Sequence, residues 1–102
     1  MDDIIRVFLQ ALVTERGYSP NTISEYRRDL RQLTDKLGYR LEDYSSERLQ
    51  AYIDSLKDHY SNNSQVRKCT SLRTLFKYLQ GQGLVDKDPT LGLVCPSLDH
   101  WQ

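Results

Sequence analysis

The sequence predicts an all-α fold: a single compact bundle of four helices with a short fifth helix near its C-terminal end. Apolar residues recur at helical spacing in four separate stretches, and no stretch alternates apolar and polar residues for long enough to make a strand. Each stretch is also bounded by residues that start or stop helices. With 102 residues the chain has room for one domain around one modest core.

The first stretch, Asp2 to Arg16, places Ile4 or Ile5 with Phe8, Leu9, Leu12 and Val13 on one face. Acids at its start and Arg16 at its end complement the helix dipole, and Gly17 stops it. The second helix runs from about Pro20 to Leu37. Ser19 is the cap and Pro20 takes the first helical position, where a missing N–H costs nothing. Its buried seam is Ile23, Tyr26, Leu30, Leu33 and Leu37, and Gly38 stands where a left-handed cap is wanted. At about 100° per residue, Asn21, Ser24, Arg27, Arg28 and Arg31 fan out along one flank of that seam, while Glu25 and Asp29 lie on the other.

A connection follows in which Tyr39, Leu41 and Tyr44 tuck under the bundle. Ser45 or Ser46 then caps a third helix carrying Leu49, Tyr52, Ile53 and Leu56. Asp58 to Asn63 is polar and turn-like, so the fourth helix is expected to begin near Ser64, with Ser64 as its cap, and to end at Gly81 and Gly83. Its apolar face is Cys69, Leu72, Leu75, Phe76 and Leu79, and its polar face is Asn63, Arg67, Thr70, Ser71 and Thr74. Asp88 and Pro89 open the short fifth helix, to about Val94, and residues 96–102 form a tail.

Composition narrows the function classes. Arg6, Gln10 and Glu15 interrupt the first apolar run, so neither a signal peptide nor a membrane span is expected, and a cytoplasmic location follows. Cys69 and Cys95 lack the paired spacing of a zinc site and are expected to be two free thiols in a reducing compartment. His59 and His100 have no second ligand at a useful spacing, so no metal and no cofactor is expected. The 14 basic and 14 acidic residues cancel, which argues against strong autonomous binding to nucleic acid. Only charge sorted onto one face can support such a role.

Two segments carry more than a fold. Ser19 to Leu30 reads S-P-N-T-I-S-E-Y-R-R-D-L, and Ser64 to Arg73 reads S-Q-V-R-K-C-T-S-L-R. Together they resemble the N-terminal core-binding, SAM-like domain of the tyrosine recombinases of the phage-integrase and Xer group. In that family a T-x-x-x-Y-R-R-D-L helix and a later helix with the spacing S-x-x-R-x-x-x-S are hallmarks. The resemblance runs from the F-L-Q-A-L-V-T-E-R-G opening at Phe8 to the D-K-D-P segment ending at Pro89.

It implies that residues 1–95 are a DNA-clamping domain and that 96–102 lead towards a catalytic domain absent from this chain. This chain would then not be an enzyme. No H-x-x-R element follows His59 or His100, and no cluster of cations is set to hold a phosphoryl transition state. By the same resemblance helices two and four cross the major groove of a double-stranded recombination site, giving DNA integration or recombination as the biological task. Thr22 and Ser64 would hold phosphates, Asn21, Ser24, Arg28, Asn63, Arg67 and Ser71 would face the groove, and Arg27, Arg31 and Lys68 would flank it. Arg67 is the candidate for a bidentate guanine contact, whereas Arg73 is expected to brace the fold. Helix one and the segment after Pro89 would touch neighbouring protomers in a synaptic tetramer, and the isolated domain would be mostly monomeric, away from membranes.

Plainer readings stand beside these. Arg27, Arg28 and Arg31 could pair with Glu25 or Asp35 along their own helix, and Tyr26 belongs to the core rather than to a contact surface. The competing function is a small α-helical protein-interaction module. A free-standing helix-turn-helix repressor is disfavoured, since no short glycine-containing turn joins two helices at the required spacing.

Overall fold

The computed structural model describes residues 2–96, so the expectations on His100 and on the tail past Pro96 lie outside it. The described residues form four helices and no strand: α1 (Asp2–Arg16), α2 (Pro20–Leu37), α3 (Ser46–Ser55) and α4 (Asn62–Gly81), with one 3-10 turn at Leu41–Asp43. The termini follow local chemistry. Ser19 accepts the Thr22 N–H at the start of α2, with Pro20 inside it, and Ser45 rather than Ser46 accepts the Arg48 N–H at the start of α3. Gly17, at φ 67°, lets the chain turn out of α1 in a conformation that side chains with a Cβ resist.

Helix α4 starts earlier than its sequence suggests. Ser61 is the cap and accepts the Ser64 N–H at 3.3 Å, so Ser64 sits inside the first turn, where its hydroxyl oxygen accepts from the Ser61 hydroxyl. Both serines suit the position, and the backbone chose the one that lets Asn62 and Asn63 join the helix.

The core gathers one stripe from each helix: Ile5, Phe8, Leu9 and Leu12 from α1, Ile23, Tyr26, Leu30 and Leu33 from α2, Leu49, Tyr52 and Ile53 from α3, and Cys69, Leu72, Leu75, Phe76 and Leu79 from α4. Two expected members are missing. Val13 is 47% exposed, because about 100° of rotation from Leu12 carries it beyond the arc that the neighbouring helices cover. Tyr39 is 53% exposed and reaches back to Asp35, leaving Tyr44 and part of Leu41 to fill the space beneath α2.

Tyr44 is buried and donates its hydroxyl to the Gly38 carbonyl at 2.5 Å. Burial pushes its phenol up to about 12, and burial raises Tyr52 as well. An unfolded tyrosine ionises near 10, so these groups stabilise the fold fully below about pH 10, and that contribution drains away as pH rises towards 12. The urea midpoint is therefore expected to fall between pH 9 and pH 11.5, and less steeply in Tyr44→Phe than in the parent. Equal slopes would show that the phenol is not held in its neutral form.

After α4 the chain doubles back over α3 and α4 as a strap. The short fifth helix expected from Pro89 to Val94 is instead a series of turns, with Leu91 N–H on Asp88 O and Leu93 N–H on Thr90 O. Tertiary partners take the groups a helix would need. Ser46 donates to Pro89 O, Gln50 bonds both the N–H and the C=O of Val94, and Arg73 donates to Leu93 O at 2.6 Å. The strap also brings Cys95 beside Cys69, with a Cα separation of 6.2 Å. Their proximity depends on a fold-back that a separation of 26 positions in sequence does not announce.

Candidate nucleic-acid interface

Helix α2 turns Ile23, Tyr26, Leu30 and Leu33 inward, and this register leaves Asn21, Ser24, Arg27, Arg28 and Arg31 exposed on its outer side. Thr22 is half-buried at the helix start, its hydroxyl 3.0 Å from Ser19 Oγ. Among the described residues, the side chains of Arg27, Arg28 and Arg31 make no hydrogen bond and no ion pair. The plainer reading, in which Glu25 or Asp35 neutralises them, is not what the fold contains. Glu25 is drawn instead to Arg67, and Asp35 to Tyr39.

On α4 the expected contact residues divide. Asn63 is exposed and Ser64 half-buried beside it, both at the helix start. Arg67, Lys68 and Ser71 are placed differently from their expected orientation. Arg67 forks onto Asp29, with Nε 2.8 Å from Oδ2 and Nη2 3.0 Å from Oδ1, and its Nη1 lies 3.7 Å from Glu25. Its side chain stays 31% exposed. The bond to Asp29 is the main reason its guanidinium is held still more firmly as a cation than usual.

Lys68 is buried. Its ammonium donates to Asp29 Oδ1 at 2.8 Å and Gln32 Oε1 at 2.7 Å, and lies 4.6 Å from the centre of the Tyr60 ring. Gln32 in turn donates to the Tyr60 hydroxyl. Ser71 is buried and donates back to the Lys68 carbonyl rather than facing outward. Arg73 braces the fold as expected, donating to Leu93 O, and Arg67 donates into the fold as well.

The centre of this arrangement is Asp29, whose side chain is 1% exposed. Two cations from α4 converge on its two oxygens, and Glu25 completes a cluster of two positive and two negative side chains. Arg67 and Lys68 of α4 are therefore spent inside the seam, while Arg27, Arg28 and Arg31 of α2 stay outside. The sequence does hold a clue. Asp29 is flanked by Tyr26, Leu30 and Leu33, seam residues one turn or less away, and an acid at that edge needs a partner from another helix.

Arg6 had not been singled out. It projects from α1 beside Arg27 and Arg31 at the edge of a shallow depression. Among the described residues no group of three or more His, Cys, Asp or Glu side chains could hold a metal ion, and no helix is long and apolar enough to cross a membrane.

Residues 5–83 match the family of the phage integrase N-terminal SAM-like domain. The chain is 33% identical over 105 residues to the tyrosine recombinase XerC of Roseiflexus castenholzii, an alignment covering 98% of this chain and 33% of that protein. It is 37% identical over 98 residues to XerD of Vibrio vulnificus, covering 92% and 32%, and 34% identical over 90 residues to XerD of Rhizobium meliloti, covering 84% and 29%. The chain spans about a third of the length of the recombinases it matches. No solved structure matches.

Proposed function

From the premise that the chain belongs to the phage-integrase N-terminal SAM-like domain family, we propose that it binds double-stranded DNA as the core-binding arm of a site-specific tyrosine recombinase. The observation that supports this best is the flank of α2, where three arginines without carboxylate partners stand beside Asn21 and Ser24. A major groove is wide enough to admit such a helix, and short polar side chains let it approach the base edges. Asn63, Ser64 and the exposed edge of Arg67 complete the surface from α4. Thr22 and Ser64 lie in first helical turns, whose N–H groups suit phosphate oxygens.

Lys68 and Ser71 leave the list of direct contacts. Their part is to fix how far apart α2 and α4 stand. Strand cleavage belongs to the portion of such recombinases outside this third, and we assign no catalytic residue to this chain. Tyr26 and Tyr52 are buried, and burial raises both phenols, the reverse of what a nucleophile needs. The protein would act in the cytoplasm, where chromosomal DNA lies, without membrane or cofactor. Neighbouring protomers would cover the apolar surface formed by Ile4, Val7, Tyr78 and Leu84, and the isolated domain would be mostly monomeric.

Anisotropy titrations with a random duplex test this reading. The dissociation constant is expected near about 10⁻⁴ to 10⁻⁶ M at physiological salt, because so few phosphates are met. Binding should weaken steeply with salt, and the triple variant Arg27→Ala, Arg28→Ala, Arg31→Ala should flatten the log–log slope by about 3 while keeping its melting temperature. A slope near zero in the parent would favour the protein-interaction module instead.

A further inference from the structure

Where α1 meets α2, Arg6 from the first helix and Arg27 and Arg31 from the second surround a depression of about 290 Å³. Its floor is Ile5 and Leu9, both buried, and its lining contains no carboxylate. Arg27 and Arg31 are four residues apart on one helix, a spacing at which like charges repel, and Arg6 adds a third from across the gap. The intramolecular relief is slight. Arg6 has one ion pair, to Asp3 at 3.6 Å, and that acid is 93% exposed, where such pairs contribute little. Three guanidinium groups held around one hollow with no acid in its walls are stable company when an anion lies between them.

We propose that this hollow seats a backbone phosphate of the bound duplex and that Arg6 makes α1 a third DNA-contacting helix. The inference rests on the DNA-binding reading above and adds a site to it. A phosphodiester is favoured over a free anion by continuity, because Arg31 belongs both to the hollow and to the outer flank of α2 that carries Arg28. A helix is about 10–12 Å across and the major groove about 12 Å wide. With α2 seated in the groove, a phosphate row therefore borders it on each side. Asn63 and Ser64 lie towards the row on the α4 side, and the three-arginine hollow towards the row on the α1 side. The apolar surface at Ile4 and Val7 occupies a different edge of α1, against Tyr78 and Leu84, so protein contacts and a phosphate can share the helix.

The test uses the full chain, a random duplex and a salt series. Arg6→Ala should lower the log–log slope by about 1, with the melting temperature unchanged because the side chain is 71% exposed, and Arg6→Lys should restore most of the slope. Arg28→Ala, outside the hollow, is the reference for the reading beneath. A lowered slope in Arg28→Ala with none in Arg6→Ala overturns this inference alone. No change in either variant, with a flat parent slope, overturns DNA binding itself. Inorganic phosphate supplies the last arm: if it shifts the Arg6, Arg27 and Arg31 side-chain NMR signals while Arg6→Ala leaves the DNA slope intact, the hollow serves a free anion and the proposal fails.

Discussion

Asp29→Ala is expected to lower the unfolding free energy by about 3–5 kcal/mol, the range for removing one partner of a buried charge pair. The loss is large because of what remains. Lys68 is 5% exposed and would be left with only Gln32 Oε1 and the Tyr60 ring as partners, and Arg67 would lose both prongs of its fork. Asp29→Asn keeps the shape but not the charge and should also be costly. Adding Lys68→Met to Asp29→Ala should recover part of the loss, since the orphaned ammonium is then gone. Urea unfolding of the two single variants and the double variant measures this directly. A loss below about 1 kcal/mol in Asp29→Ala, the value of an exposed pair, would show that water reaches the cluster. The same experiment bears on DNA binding, because the cluster sets the separation of α2 and α4. A fold that survives Asp29→Asn with weakened DNA affinity would identify Asp29 as a positioning residue.

Phe76→Ala should cost about 3–5 kcal/mol through lost burial and the cavity left behind. The ring is 1% exposed in the C-terminal half of α4, its centroid 5.9 Å from that of Tyr44 with the planes tilted by 42°. Leucine in its place should recover more than half of the loss, because it refills most of the volume without the ring's edge contacts. Chemical denaturation decides the matter. A cost under about 1.5 kcal/mol would mean that the helices close around the gap, which a core built from four separate stripes is poorly able to do. Function should follow stability here, with DNA affinity unchanged at temperatures where the variant is folded, since Phe76 lies on the side of α4 away from Asn63 and Ser64.

Helix existence, order and facing were legible in the sequence because each is a local property. A seam recurring every three or four residues fixes which side of α2 is buried, and that alone makes Arg27, Arg28 and Arg31 exposed. Ser19, Pro20 and Gly17 set helix ends through groups within four residues of themselves. The cap of α4 was a closer contest. Ser61 and Ser64 have the same chemistry, and the outcome turned on whether Asn62 and Asn63 were helical, which nearby residues do not decide.

The remainder depended on distance in sequence. Asp29 lies 38 residues from Arg67, and periodicity gives the face of each without saying that the two faces meet. Once α2 and α4 pack together, the acid becomes buried and takes both cations, and Arg67 and Lys68, expected on the DNA side, hold it. The strap follows the same rule. Asp88 and Pro89 carry a helix-start signal, but Ser46, Gln50 and Arg73 compete for that backbone from other helices, and together they outweigh one short turn of helix. The hollow at Arg6, Arg27 and Arg31 likewise exists only because α1 lies beside α2. Sequence by itself therefore determined which cations face outward from α2. Only tertiary packing decided which cations of α4 are spent inside, because a charge buried between helices is set by its partner and not by its neighbours along the chain.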